Sequence, residues 1–361
     1  MSWTISSILT IISLTLIATS VHATPPIDEI RTLITNKALR PQSNEALSTL
    51  TIKNLDTSLL AMDQYARYVP SSVLLSNSDS SVHLGIEVFV YKSRLWIRSD
   101  PNGPAFQAGI PEIGELQSIN GKKVNGDDLD RISAQLDKAV RVDQVTLSVA
   151  SRPGGKAKAY RVKPAAFQLS SITWRRIRAD IVMHISEFVS HETAPGLSAR
   201  YAALVRLGNR VVLDLRGCAG GDLYEALEIA GMFVPAGRPM ASTYDRSGIV
   251  QTYRSPSGRK LIAPVWVLID QRTASAAEIL AGILQYHKLA RVVGERSYGK
   301  CVSQTLIPLS DGGGLWLTTL GIKFPDTTSC AGTGISPDIS YPDISVSKIS
   351  DVTKKLTTGK P

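Results

Sequence analysis

The spacing of apolar residues changes three times along this chain, and each change predicts a different kind of structure. Residues 24–75 read as helical, with a long apolar run around Leu47–Leu60 and a turn at Val69-Pro70. The serine-rich stretch from Pro70 to Val82 reads as a linker. From Gly85 the period falls to two. Gly85–Tyr91 and Arg94–Ile97 alternate across a Lys92-Ser93 turn, and Leu116–Ile119 and Lys123–Val124 flank an Asn120-Gly121 hairpin turn. A loop over Asp100–Pro104, a short helical turn after it, a helix over Asp128–Ala139 and a strand over Val145–Ser151 complete this β-rich unit. From about residue 166 strands alternate with helices. Val211–Leu215 is an apolar buried-strand run that breaks at Arg216-Gly217-Cys218-Ala219-Gly220-Gly221 and enters a helix over Asp222–Met232. Val265–Ile269 repeats the pattern and turns through Asp270-Gln271-Arg272 into a helix carrying Ile279, Leu280, Ile283 and Leu284 at helical spacing. Arg291–Val293 is a third strand, and Val302–Ile307 pairs with Leu315–Ile322. The tail from Val346 reads as polar and loose.

Residues 1–23 stand apart. Ile5–Thr19 is apolar and hydroxylic without a charge, and Val21 and Ala23 place small residues at −3 and −1 of a cleavage point, as in a secretory signal. The apolar core falls short of the ~20 residues of a comfortable membrane span, so export is expected over retention as an N-terminal membrane anchor. The formal charge of +9 is spread along the chain without aromatic–basic interleaving, which predicts a solvated basic surface and no nucleic-acid partner. Three cysteines, Cys218, Cys301 and Cys330, allow at most one internal bridge; Cys301–Cys330 is the pair expected, although sequence does not supply the Cα separation. There is no CxxC, HExxH or Cys/His cluster, so neither a metal nor a cofactor is expected.

The candidate chemistry lies in the last third. Ser275 opens a helix, where backbone N–H groups favour developing negative charge. A serine needs a base, and a lysine serves once burial disfavours its ammonium form. Lys300 follows 25 residues later and Gln304 four beyond it. Ser275-Ala276-Ala277-Glu278 is also a capping box, so a helix cap is the bland alternative for Ser275. Gly294–Lys300 fits GxxxxGK, but Cys301 stands where a phosphate loop needs Ser or Thr, and a strand-like run follows where it needs a helix. His287 is twelve residues along the same helix from Ser275, roughly 18 Å away at 1.5 Å per residue, and no GxSxG elbow occurs.

Taken in order, Leu59–Val69, Gly103–Ile110, Gly114–Val124, Val211–Leu227, Phe233–Gly237, Thr273–Gly282, Val292–Lys300 and Gly332–Asp338 resemble the carboxyl-terminal processing peptidases, or tail-specific proteases, over roughly residues 45–342. The resemblance implies an α/β fold. A crotonase/ClpP-like protease core of βαβ units (166–345) would carry an inserted PDZ-like β-rich domain (76–165), N-terminal helices (24–75) and a polar tail (346–361). It implies Ser275 as nucleophile, Lys300 as general base, Gln304 as the group orienting the lysine, and the N–H groups of Gly221 and Ala276 as oxyanion hole. Its PDZ-like unit would receive a substrate's C-terminal carboxylate near Leu84, Gly85 and Ile86, with Ile86 and Val88 lining a side-chain pocket. The partners implied are proteins or peptides with free C-termini, together with an adaptor or a second copy of the chain. The rival reading is an inactive PDZ-bearing scaffold on the same fold. Two positions depart from the family pattern: Cys301 replaces a glycine after the lysine, and Cys218-Ala219 replaces Asn-Pro before the two glycines.

Overall fold

In a computed structural model, which describes residues 24–74, 82–126, 129–167, 170–205, 210–258, 260–262, 264 and 266–358, the apolar runs after residue 166 assemble into one six-stranded sheet. The expected signal segment, residues 75–81 of the linker, Asp128 and Val265 lie outside the described residues.

The sheet runs in the order Ile172–Ile177, Asp180–Ile185, Arg210–Asp214, Trp266–Ile269, Arg291–Gly294 and Ile339–Ser340. Its first pair is antiparallel and the rest are parallel. Helices Thr193–Val205, Leu223–Gly231 and Ala276–Tyr286 lie between strands in the chain. Their apolar positions pack with Met183, Leu213, Val267 and Val292 in one cluster, in which Ile279, Leu280, Ile283 and Leu284 are fully buried. The helical period after Ser275 is thus the core-facing stripe of a crossover helix.

The opposite face of the sheet, built of Val182, Val212, Trp266, Leu268 and Val293, is covered by the C-terminal segment. The expectation of a loose tail is corrected here. Ile349–Thr358 is a helix whose Ile349 and Val352 are fully buried on that face. The spacing of Ile349, Val352 and Leu356 was helical, but Ser350, Asp351, Lys354 and Lys355 between them made the segment read as solvent-exposed.

The N-terminal region is helical over Ile27–Lys37, Asn44–Ser48, Leu55–Met62 and Ser71–Leu74, but it is not free of the core. Arg67–Val69 joins as an antiparallel strand beside Gly314–Lys323, and Ile30, Leu50 and Leu59 pack against Leu309, Leu315 and Leu317. The same long strand pairs with Val302–Pro308, as the apolar runs predicted. The β-rich unit holds a sheet ordered Ile86–Tyr91, Arg94–Ser99, Ile113–Ile119, Val145–Ala150 and Lys158–Val162 around its own core. Lys92-Ser93 and Asn120-Gly121 have positive φ at both residues, as a two-residue type I′ hairpin turn requires. Ile86–Tyr91 is an edge strand of that sheet.

One buried ion pair anchors the loop that leaves the central strand. Arg216 is 1% exposed and grips Asp214 with Nε and Nη2, at 2.7 and 2.6 Å, and donates to the carbonyls of Ile344 and Ser347. Burial alone would raise the Asp214 pKa, but the Arg216 charge and its hydrogen bonds outweigh that and hold the carboxyl well below the usual range. Removing one partner leaves the other charge buried. Asp214→Ala should therefore lower unfolding stability by about 3–5 kcal/mol, measured by urea denaturation at neutral pH. The parent should also lose stability as pH falls from about 4, the unfolded carboxylate's value, toward the depressed folded one. A cost under about 1 kcal/mol would contradict this role.

Candidate active site

Ser275 sits between the strand Trp266–Ile269 and the helix Ala276–Tyr286, at φ 55° and ψ −123°. That lies outside the extended backbone of an ordinary N-cap and in a region non-glycine residues avoid. Several bonds hold it there. The fully buried Asp270 carboxylate accepts from the N–H groups of Gly217, Arg272 and Thr273. Thr273 Oγ1 donates to the Leu215 carbonyl at 2.9 Å, and the Ala274 N–H to the Cys218 carbonyl at 2.9 Å. The turn bearing Ser275 is thereby tied to the loop 215–218. Glu278 accepts the Ser275 N–H at 2.9 Å, as the capping-box reading predicts.

The glycine loop closes against the serine. A Cβ on Gly220 would lie 2.7 Å from the Ser275 Cβ, so only glycine admits this approach. Gly221 (φ +131°) forms a parallel bridge with Phe188, in which the Phe188 N–H donates to the Gly220 carbonyl and the Asp222 N–H to the Phe188 carbonyl. The bridge leaves the Gly221 N–H pointing the other way. Among the described residues, neither that N–H nor the N–H of Ala276 has an acceptor. Cys218, also in this loop, is buried, and burial pushes its thiol up to about 12, so it stays protonated.

Lys300 is brought to the same region by Glu278. This carboxylate, 0% exposed, accepts from the Ser275 N–H and the Lys300 N–H on Oε2, and from Ser297 Oγ and the Gly299 N–H on Oε1. One buried group thus positions the backbones on both sides of the serine–lysine pair. The Lys300 pKa is lowered, first by burial and then by the Arg67 charge, with Asp63 opposing. Its Nζ lies over the Tyr65 ring, 4.9 Å from the centroid, and makes no hydrogen bond among the described residues. Gln304 does not bond the lysine as expected. Its Nε2 donates to the Tyr65 carbonyl at 2.6 Å, because the strand Arg67–Val69 carries Tyr65 in beside it. Sequence reasoning missed Tyr65 and the reach of Glu278; the only local trace of the latter was the cap at Ser275.

A cavity of about 1010 Å³ connects Lys300 and the glycine loop to the β-rich unit; Ser275 and Ala276 are not among its lining residues. Gly220, Gly221, Lys300, Gln304 and Tyr65 line one part, and Gly85, Ile86, Glu87 and Arg98 another; Leu84 is buried behind. Ile86 and Val88 pack on the β-rich core, so their shared face is partly spent there. Trp174 and Trp316 add apolar wall, and His184 sits in the wall with Nδ1 3.0 Å from the Asp214 carbonyl oxygen. The β-rich unit is also seated on the glycine loop. Arg98 donates to the Arg216 carbonyl at 2.5 Å, Glu87 pairs with Arg272, and the Arg272 guanidinium lies 3.6 Å from the Phe89 ring centroid. Cys301 and Cys330 are joined as a disulfide.

Comparison with known proteins points the same way. Residues 181–341 match the model of peptidase family S41. The chain is 29% identical over 324 residues to the carboxy-terminal processing protease CtpB of Bacillus subtilis, covering 87% of this chain and 67% of that protein. It is 28% identical over 296 residues to the carboxy-terminal-processing protease of Bartonella bacilliformis, covering 78% of this chain and 67% of the relative. Among solved structures, a photosystem II D1 C-terminal processing protease shares the fold. Its TM-score is 0.62 at 22% identity, covering 92% of this chain and 97% of that one.

Proposed function

We propose that the chain is a serine peptidase of family S41, an exported endopeptidase that cleaves unfolded or C-terminally tagged proteins with Ser275 and Lys300. The observation that carries this reading is that Gly220 closes on Ser275 while the adjacent N–H groups of Gly221 and Ala276 have no acceptor among the described residues, and that half-buried Lys300 lines one cavity with Gly220 and Gly221. For catalysis the Lys300 side chain, now over the Tyr65 ring, turns to Ser275 on its flexible four-carbon stem. The neutral amine takes the Ser275 proton as Oγ attacks the scissile carbonyl carbon. The oxyanion forms against the two N–H groups, and the amine returns the proton to the leaving nitrogen. Water then repeats the sequence on the acyl-enzyme. The Cys301–Cys330 disulfide supports an exported setting, since such bonds persist in oxidising compartments.

The β-rich unit acts as a PDZ-like reader of the substrate's C-terminus. The edge strand Ile86–Tyr91 accepts the peptide as an added strand, and the carboxylate enters near Leu84, Gly85 and Ile86. This end shares a cavity with Lys300, so a captured tail leads toward the cutting site. A peptide amidated at its C-terminus loses the charge-assisted hydrogen bonds, so its kcat/KM should fall about 10- to 100-fold below that of the free acid. Equal cleavage of acid and amide would remove the terminus-reading role. Binding of the acid with turnover no greater than that of Ser275→Ala would favour a scaffold.

A further inference from the structure

The Glu278 carboxylate is saturated. A carboxylate has about four lone-pair sites, and here four donors occupy them: Ser275 N–H, Lys300 N–H, Gly299 N–H and Ser297 Oγ. Two sulfurs lie beside it. Cys301 and Cys330 are buried (0% and 2% exposed) and each places its sulfur within 4.8 Å of a Glu278 oxygen and of the other. As a disulfide they offer no proton. As thiols they would offer two weak donors to a group with no acceptor site left, and two unbonded sulfurs need more room than a bonded pair.

The bridge also joins the segment that sets the lysine. Cys301 directly follows Lys300, and its partner opens the loop that buttresses Gly299. The Gly332 N–H donates to the Gly299 carbonyl at 2.9 Å, and the Thr333 and Gly334 N–H groups fold back onto the Cys330 carbonyl. A Cβ on Gly299 (φ +98°) would lie 3.1 Å from the Gly334 nitrogen. The strands between the two cysteines, Val302–Pro308 and Gly314–Lys323, are already held together as a hairpin. The bond's particular contribution is therefore the register of the Lys300 loop.

Resting on the serine–lysine reading above, we infer that the Cys301–Cys330 disulfide positions the general base, so that the peptidase becomes fully active only after these two thiols are oxidised. The two thiols form one S–S bond and pass two protons and two electrons to a disulfide donor, which leaves as two thiols. Burial shields the sulfurs in the folded chain, so this oxidation accompanies folding and is not readily reversed. The chain would remain a poor protease wherever thiols stay reduced.

The test refolds denatured, fully reduced protein with oxidised glutathione or with excess reductant, and compares kcat, KM and the thermal unfolding midpoint. The Cys301→Ala/Cys330→Ala variant is treated in the same way. The oxidised parent should carry full activity. The reduced parent, still unfolding cooperatively, should show kcat lower by about 10- to 100-fold with KM within about two-fold, as expected for a misplaced catalytic group. Transfer of the unfolded reduced parent to oxidised glutathione should restore it, and the double variant should be slow in both conditions. Equal kcat in the reduced and oxidised parent, or a double variant as fast as the oxidised parent, overturns the inference. So does a reduced parent without cooperative unfolding, because the bridge would then be a general staple. An oxidised parent no faster than Ser275→Ala would instead bring down the serine–lysine reading itself.

Discussion

Ser275→Ala and Lys300→Ala should each lower kcat by about 10⁴- to 10⁶-fold, and the double variant should be little slower than either single one. Groups that act as a unit in one proton transfer fail together, so their losses do not add. The measurement is steady-state cleavage of an unfolded protein substrate, with circular dichroism confirming that both variants fold. The residual rate should stand above that of water, because the Gly221 and Ala276 N–H groups remain. The parent's rate should rise with pH until the Lys300 ammonium has lost its proton. Burial and Arg67 both disfavour the ammonium, so that midpoint falls below an ordinary lysine's. Arg67→Ala removes one of these influences and should move the midpoint to higher pH, with an unchanged plateau. A rate flat from acidic to alkaline pH, or a Lys300→Ala variant within about ten-fold of the parent, is incompatible with lysine as the base.

The second large effect is expected at Gly221. A methyl group there would stand 2.2 Å from the Phe188 carbonyl oxygen, and the backbone sits at φ +131°, which an alanine adopts only under strain. Gly221→Ala should break the bridge to Phe188 and swing the 221 N–H away from the serine. The expected loss is about 10²- to 10³-fold in kcat with KM little changed, the cost of one oxyanion donor. Cleavage kinetics and a thermal unfolding scan together decide this case. A variant that unfolds like the parent and cleaves at the parental rate would show that this N–H does not face the reaction. Gly220→Ala supplies a parallel case, since its new methyl would meet the Ser275 Cβ at 2.7 Å.

Legibility in the sequence followed the range of the interaction. The helix after Ser275 and the two positive-φ hairpin turns are set by spacing and residue type over a few positions, and these agree with the structure. The runs 211–213 and Trp266–Ile269 are continuously apolar because both faces of their sheet are covered. What covers the second face was harder to see, because Ile349 and Val352 are diluted by polar neighbours that face solvent. Gln304 illustrates the other limit. Its amide meets the Tyr65 carbonyl across 239 positions of chain, a contact made by strand pairing that no local pattern encodes. The same holds for Glu278: the cap to Ser275 is three residues away, whereas its bonds to Ser297, Gly299 and Lys300 depend on the loop after Gly294 folding back over the helix. The seating of Arg98 on the Arg216 carbonyl likewise joins two units whose relation was written only in the order of their motifs.

Trapping the acyl-enzyme tests the serine–lysine pair most directly. A peptide with an activated ester at its C-terminus is mixed with the enzyme, quenched in acid within the first turnover, and the digested protein is mapped by mass spectrometry across a pH series. The acyl group should appear on the peptide bearing Ser275, with a formation rate that climbs with pH alongside cleavage and collapses in Lys300→Ala. Acylation at another residue, or acylation of Ser275 at the parental rate without Lys300, would contradict activation of this serine by that lysine.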